Sequence, residues 1–518
     1  MSEAVDHGIT VTEIAAMDQP IDVCPETTAA FVGRALRGPL NTPVLTTNFG
    51  EFRRRFGDVW GRSSLGPAVK QFFEHGGKQL YIVRVANNAR GAMLCLPASG
   101  SALVLRAVEP GSTEFIRVAV DYDGIDDDDD ELFNLTIQRV NPATRTVIDQ
   151  EFFRKLSWDK ESSAFVAEEL LSSSLARVEQ PYPTHRPERT TALGRSYEST
   201  YVSHAQAGTD GTELSNYDLI GSRRAQSGLF GLEQIEHFDL LYLPPPGKGR
   251  DLGPAAVLAA ELYCRERGAM LIVDPLSEWA TPRDAIKGVR DLGYASPNML
   301  GYFPRVRERN SDDGVSRPVG GAFAGLLCKQ DRTHGAWQLI DQQSLALHRR
   351  LRPELDLGES ESELLVRSGL NAVVAAAVGK PWLTGSVTMG RGSEAHRKFS
   401  QLPIRRFCLQ IINSIAKATR WAVFEVEDSS LADRLRGQVL TYLHCLNDLG
   451  AFVDDSFIVQ CDAGVSHRSD SAEHGITILL VFHPIGCDEP VSLTLHQTAS
   501  GFRVGSTAFG LTERKSPS

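Results

Sequence analysis

The chain has 518 residues, 42% of them hydrophobic, and a formal net charge of −11 at pH 7. A chain of this size and composition buries a sizeable core in roughly two to four domains, which excludes disorder as the default. The acidic balance argues against direct binding of nucleic acid, which needs clustered Lys and Arg, and no apolar run reaches the roughly 20 residues that insert across a membrane.

The first predicted element is a strand near the N-terminus. Residues 1–7 lack the basic and apolar segments of a signal peptide, so we expect synthesis in the cytoplasm. Residues 8–14 alternate, which puts Ile9 and Val11 on one face of an extended strand. A segment with Pro20 and Pro25 follows, so the strand has no adjacent hairpin partner. We expect its β partner in a distant part of the chain or in another molecule.

Residues 28–90 predict a strand, two helices and a second strand. The first strand begins at Thr28, and a short amphipathic helix spans 49–56. The second helix has Ser63 or Ser64 as its cap and ends at Gly76-Gly77, before a strand at 79–85. From 91 to 204 the sequence changes to β-alternation, which predicts an inserted domain. Its acidic run at 126–131 lacks the Gly of a calcium loop, so we expect a solvated loop.

Residues 205–344 predict a βαβ unit. A strand at 238–243, a helix at 254–267 and a strand at 270–274 favour a parallel sheet. The loop at 247–253 lies where a dinucleotide-binding loop would lie. However, Leu252 stands where that motif needs Gly, and Lys248 is not followed by Ser or Thr. An α/β enzyme that binds a ligand at this loop is therefore the alternative hypothesis and not the preferred one.

The C-terminal part predicts two helices and several strands. The helices cover 403–418 and 430–449, with Ser430 and Asp433 capping the second, and a strand at 421–425 lies between them. Further strands follow at 457–462, 476–484 and 491–497.

Motifs for catalysis or metal binding are not found. The sequence has no G-x-S-x-G elbow, and its eight cysteines include no C-x-x-C pair. A metal site assembled from C-terminal residues matches no zinc spacing; the residues considered are Cys461, His467, His474, His483 and Cys487. We predict no catalytic, cofactor-binding or metal residues, no cofactor and no structural disulfide.

Two segments carry a family resemblance. Thr28-Ala-Ala-Phe-Val-Gly-Arg-Ala-Leu-Arg-Gly-Pro, and Ile404-Arg-Arg-Phe leading into Trp421-Ala-Val-Phe-Glu, resemble the tail sheath family of contractile phage tails and related injection systems. The resemblance implies a structural protein, not an enzyme, that stacks as hexameric rings around an inner tube and contracts. It implies as partners other sheath subunits, the inner tube protein, and baseplate and terminal cap proteins. The particle would be a phage tail or a released or envelope-anchored tail-like machine. A minor sheath paralogue at the baseplate or cap is a further alternative.

The resemblance also implies a domain plan of the α/β (mixed α+β) class. The expected parts are an N-terminal linking arm (1–20), a discontinuous inner αβ domain (21–90 and 345–510), an inserted β-rich outer domain (91–204), a middle βαβ domain (205–344) and a flexible tail (511–518). The linking-strand residues expected to join subunits by β-augmentation are Ile9, Val11, Ile14, Val491, Leu493 and Leu495. The expected tube contacts are Asp433, Arg434, Arg436 and Asp448.

Overall fold

The structure is a computed structural model. It describes residues 20–126, 128–141, 144–190, 201–247, 249–309, 315–338, 345–375, 380–392, 394–424, 429–465, 474–498 and 501–505. The chain divides into two compact units, a large unit of residues 27–329 and 341–393 and a small unit of residues 1–26, 330–340 and 394–518. None of the described helices is long and apolar enough to cross a membrane.

The elements up to residue 303 are, in chain order, β1 (Ala29–Gly33), β2 (Val44–Thr46), α1 (Phe49–Phe56), α2 (Leu65–Glu74), β3 (Leu80–Arg84), β4 (Met93–Ala98), β5 (Ser101–Ala107), β6 (Ile116–Asp121), β7 (Leu132–Val140), β8 (Val147–Ser157), α3 (Val166–Glu169), β9 (Ala176–Glu179), β10 (Val202–Ser203), α4 (Asn216–Ile220), β11 (Leu240–Tyr242), α5 (Pro254–Arg267), β12 (Met270–Val273), α6 (Pro282–Asp291) and β13 (Met299–Phe303). The remaining elements are β14 (Val306–Glu308), α7 (Gly320–His334), β15 (Leu351–Pro353), α8 (Glu359–Arg367), β16 (Leu370–Val374), β17 (Trp382–Thr384), α9 (Leu402–Ala418), α10 (Ser429–Asp448), β18 (Ile458–Val465), β19 (His474–Phe482), β20 (Val491–Thr498) and β21 (Gly501–Gly505).

The large unit is built on an eight-stranded sheet in the order β17-β16-β13-β12-β11-β1-β3-β2. The inner strands from β16 to β3 run parallel, and β17 and β2 pair antiparallel at the two edges. Strands inside a parallel sheet are covered on both faces, which is why their sequences are continuous apolar runs and not alternating ones. The parallel sheet expected from the βαβ pattern is present.

The predicted domain boundaries differ from this architecture in two places. Ala29 of β1 faces Leu80 of β3 on one side and Leu240 of β11 on the other. The separate domains expected at 21–90 and 205–344 therefore share one sheet, because a central parallel strand needs hydrogen-bond partners on both edges. In addition, β16 pairs with β13, so residues 345–393 lie in the large unit and not with the C-terminal core.

Local capping explains where several helices begin. The Asn48 side chain accepts the Glu51 N–H at 2.8 Å to start α1, and Thr281 and Asp284 form a reciprocal capping box before α6. At α2 the Ser63 hydroxyl, and not Ser64, accepts the Leu65 N–H. The helices predicted at 49–56 and 254–267 have the observed bounds of α1 and α5.

The inserted β-rich segment forms two antiparallel sheets, β4-β5-β9 and β10-β6-β7-β8, which enclose a core of their own. Its acidic loop is held by ordinary protein contacts. Asp129 accepts the N–H groups of Glu131 and Leu132, and Asp130 pairs with Arg186. Within the described part of the chain, no group of His, Cys, Asp and Glu is arranged to hold a metal ion.

The small unit packs α9 and α10 against an antiparallel sheet in the order β18-β19-β20-β21. The apolar face of α10, from Leu431 to Leu446, is buried. The strand predicted at 421–425 is wrong, because residues Arg420–Phe424 form a 3₁₀ helix. Thr419 ends α9 by bonding back to Ile415, and the Ala422 N–H then bonds to the Thr419 carbonyl, which keeps the chain coiled.

Candidate assembly surface

The Ile404-Arg-Arg-Phe segment lies in the core of the small unit. The Arg406 guanidinium makes a two-pronged ion pair with Asp331 of α7, with 2.8 Å between Nη1 and Oδ1. Both side chains are 6% exposed. The next residue, Phe407, packs against Trp337 and Phe452 with ring centroids 5.6 Å and 5.4 Å away. This segment therefore holds α9 in place and does not form a contact surface.

The C-terminal linking strand is also part of that core. Val491, Leu493 and Leu495 are buried, and β20 pairs with β19 on one side and β21 on the other. Near its end, the Gln497 amide donates to the Ala416 carbonyl at 2.6 Å and accepts from the Thr419 hydroxyl at 2.7 Å.

In this structure, residues 491–497 pair within their own subunit. The sequence predicts instead that they pair with another subunit. Removing β20 would expose three core side chains and break the buried hydrogen bonds of Gln497, which makes donation of this strand costly.

The N-terminal linking residues Ile9, Val11 and Ile14 lie outside the described residues. The chain that follows them is attached to the small unit: Ile21 is buried in its core, and the Gln410 amide donates to the Val23 carbonyl at 3.3 Å. The chain between Pro20 and Pro25 is therefore held against the small unit. The arm starts from a fixed point on α9.

The small-unit sheet offers a free edge for pairing. Among the described residues, no strand pairs with the outer edge of β18, whose inner edge pairs with β19. An unpaired edge presents a row of N–H and C=O groups that can accept an additional strand. This edge and the outer edge of β21 are the two positions in the described small unit where β-augmentation is geometrically direct.

The four predicted tube contacts all lie on the outer side of α10. Asp433, Arg434, Arg436 and Asp448 are exposed, opposite the buried face of the helix. The Arg434 guanidinium lies over the Trp421 ring at 4.8 Å from its centroid, a contact that the strand prediction for 421–425 could not anticipate. The structure thus places the four charges on one helix side, while their role as tube contacts stays a prediction.

The alternative ligand-binding loop at 247–253 is engaged by its own unit. The Asp251 carboxylate pairs with Arg305 and accepts both the N–H and the hydroxyl of Ser277. The cavity beside it has a volume of about 10 Å³, room for about one water molecule.

The same end of the sheet contains a buried polar cluster. The Asp274 carboxylate accepts the Tyr242 and Tyr302 hydroxyls at 2.7 Å and 2.6 Å, and burial raises the pKa of Asp274 to about 6. Open α/β sheets bind ligands at this end. Here the position is filled by the protein's own side chains, and the geometry does not favour the enzyme hypothesis.

Comparison with known proteins identifies the fold. No protein-family model matches the sequence. The tail sheath protein of Vibrio phage KVP40 is 22% identical over 300 residues, which cover 51% of this chain and 44% of the phage protein. The chain thus spans less than half the length of that curated relative. The solved sheath tail protein of Listeria innocua matches with a TM-score of 0.61 and 14% identity over 92% of this chain and 95% of its own. The chain has the fold of the tail sheath proteins.

A second solved structure has the same sheath fold. It is the sheath complex of an extracellular contractile injection system, PVC, in the contracted state, with a TM-score of 0.50 and 12% identity over 100% of this chain and 98% of its own. The family resemblance inferred from 28–39 and 404–425 is thus confirmed for the fold, as is the mixed α/β class. At such low identity the matches establish architecture, and the roles of individual residues rest on the contacts described above.

Proposed function

We propose that this protein is the structural subunit of a contractile sheath, in which copies stack as helical rings around an inner tube and contraction drives the tube through a target envelope. The observation that carries the proposal is the sheath fold over 92% of the chain. A relative named as a phage tail sheath protein and a similar structure named as a contracted sheath support it. The partners are other copies, an inner tube protein and, at the two ends, baseplate and cap proteins.

Copies are joined through the N-terminal arm on this proposal. The alternating residues 8–14 of one copy add to the free edge of β18 in another. On this proposal only the N-terminal strand is donated, whereas the sequence predicts donation of strands from both ends of the chain. Val491, Leu493 and Leu495 then support the receiving sheet from inside. About five backbone hydrogen bonds at roughly 1 kcal/mol each, with burial of Ile9 and Val11, give each link several kcal/mol. Because the arm starts from Ile21 in the small-unit core, tension on the link is transmitted to α9.

The outer side of α10 faces the tube on this proposal. The charged side chains on this side of α10 form a polar contact with the tube. This contact holds subunits in the extended state and breaks reversibly when the sheath contracts. Energy is stored at assembly and released by rearrangement of the lattice, so contraction requires no nucleotide.

Electron microscopy of the purified protein tests the proposal. Full-length protein should form hollow striated cylinders at high concentration. A variant lacking residues 1–16 keeps Ile21 and Val23 and should remain folded but form no cylinders. Circular dichroism and thermal melting of the truncated protein are the folding controls. Full-length protein that stays monomeric would contradict the sheath assignment, whereas normal cylinders from the truncated protein would contradict only the linkage.

A further inference from the structure

One face of the small-unit sheet carries aliphatic side chains that no described part of the chain covers. The opposite face packs against α9 and α10. On the outward face, Val453, Ile458 and Ile485 are 55%, 50% and 36% exposed. With the half-buried Val481 between them, these residues form what we call the outer strip.

Backbone pairing puts the outer strip on one face. Ile458 lies opposite Val481 in the ladder of β18 and β19. Beyond the end of that ladder, Phe452 pairs with Pro484, and the Val453 N–H donates to the His483 carbonyl at 2.9 Å, so Val453 lies opposite His483. Paired residues of antiparallel strands share a face, as do residues two apart along a strand, such as 481, 483 and 485. The four aliphatic side chains therefore share one face with the imidazole of His483.

Two carboxylates that no described Lys or Arg neutralises lie beside the outer strip. Asp454 and Asp455, between Val453 and Ile458, are exposed. The imidazole of His483 is 3.7 Å from Asp454. Among the described residues, no Lys or Arg pairs with either aspartate. An apolar strip with an acidic border favours a partner that is apolar at its centre and basic beside it.

The same chain carries a surface of that kind on α1. Arg53, Arg54 and Arg55 follow one another at the end of the helix and are all exposed, and the nearby Val59 is 46% exposed. Arg53 pairs with Asp58 at 2.9 Å. In the described part of the chain, no carboxylate forms an ion pair with Arg54 or Arg55. The pKa of the Glu51 carboxyl is lowered first by the Thr47 N–H that it accepts and then by the charges of Arg54 and Arg55, whose side chains are exposed. These arginines, with the exposed Val59 four residues beyond Arg55 in the chain, form what we call the α1 surface.

We propose that the outer strip of one copy docks on the α1 surface of a second copy, with Asp454 and Asp455 facing Arg54 and Arg55, and Val59 against the aliphatic side chains. Two different surfaces meet in such a contact, so each copy has one of each to offer, and repetition of the contact builds either a closed ring or an open helix. That is the geometry a helical lattice requires. The inference rests on the proposed function, because it assumes that copies assemble, but it concerns a contact separate from the arm linkage.

A charge-exchange experiment on the full chain tests this contact. One variant carries Asp454→Arg and Asp455→Arg, and the other carries Arg54→Glu and Arg55→Glu. Each reverses one side of the contact and should raise the protein concentration needed for cylinders about tenfold or more, measured by sedimentation and electron microscopy. Mixed in equal amounts, the two should assemble near the wild-type concentration, because alternating copies restore every charge pair. A chain with all four substitutions should do the same.

The control variant carries Glu168→Arg and Glu169→Arg, a pair of consecutive exposed acids in the inserted segment. It should assemble as the wild type does, and circular dichroism should find all variants folded. Cylinders from either charge-reversed variant at the wild-type concentration overturn the docking. Folded variants whose mixture does not assemble also overturn it, since the two surfaces then meet other partners, such as the inner tube. Wild-type protein that forms no assembly overturns the docking together with the proposed function.

Discussion

Arg406 and Asp331 show how a single residue pair holds the small unit together. Both are nearly inaccessible to solvent, so removal of one partner takes away the two-pronged ion pair of a buried charge. We predict that Asp331→Ala lowers the free energy of unfolding by about 3–5 kcal/mol, measured by urea denaturation. Arg367→Ala, which removes an exposed pair with Glu363, should cost less than about 1 kcal/mol. Equal losses from the two substitutions would contradict the structural role of the buried pair.

Asp274 makes the stability of the large unit depend on pH. Burial is the main cause of its raised pKa; the hydroxyls of Tyr302 and Tyr242 and the charge of Arg305 lower the pKa in part, and Asp251 raises it. The pKa of Asp274 in the folded protein, about 6, lies above the ordinary aspartate value of 3.8. The folded state therefore binds the proton more tightly, and the contribution of Asp274 to stability grows as the pH falls from about 6 to about 4.

The replacement Asp274→Asn removes this titration while keeping a side chain that can bond to both tyrosine hydroxyls. Across that pH interval, the free energy of unfolding of the wild type should rise relative to the variant by up to about 3 kcal/mol. The measurement is urea denaturation of both proteins at several pH values. Parallel pH profiles would show that Asp274 does not titrate in this range.

At the scale of elements, hydrogen exchange of β20 distinguishes a strand that belongs to its own sheet from a strand that is donated to another copy. Because β20 pairs on both sides and Gln497 bonds to the end of α9, we predict that its amides are protected from hydrogen exchange in the monomeric variant lacking residues 1–16. The buried strand β1 provides the reference. Exchange of β20 as fast as that of an unfolded peptide would mean that the strand leaves its own sheet without assembly.

The helices and inner strands could be predicted because their signals are local. The apolar spacing of α9 and the glycine after α5 lie within the elements themselves. The 3₁₀ helix at Arg420–Phe424 could not be predicted, because its four consecutive apolar residues resemble a short buried strand and its conformation follows from the end of α9. The domain boundaries failed for a related reason: the pairing of β1 with β11 joins residues about 210 positions apart, which no local pattern reports.

The candidate sites likewise divide into features that a local sequence pattern predicts and features that depend on contacts between distant residues. The exposure of the charged residues on α10 follows from helical periodicity, because the apolar residues of the same helix define its buried face. Their role as tube contacts stays a prediction. The outer strip was missed because Val453 and Ile485 come together through a bridge beyond the ends of β18 and β19.

At the scale of the whole molecule, we propose that the chain is the repeating unit of a polymer. A fold shared with contracted and isolated sheath proteins, an arm fixed at Ile21, and a free β18 edge all fit a protein completed by its neighbours. On the proposals made above, the linkage lies in the small unit, and the outer strip and the α1 surface form a second contact between copies.

A helical reconstruction of cylinders formed by the full-length protein tests this claim most directly. The account predicts that residues 8–14 of one subunit run along the outer edge of β18 in another, as an added strand. It is contradicted if the β18 edge is empty in the assembly, or if residues 8–14 pair within their own subunit.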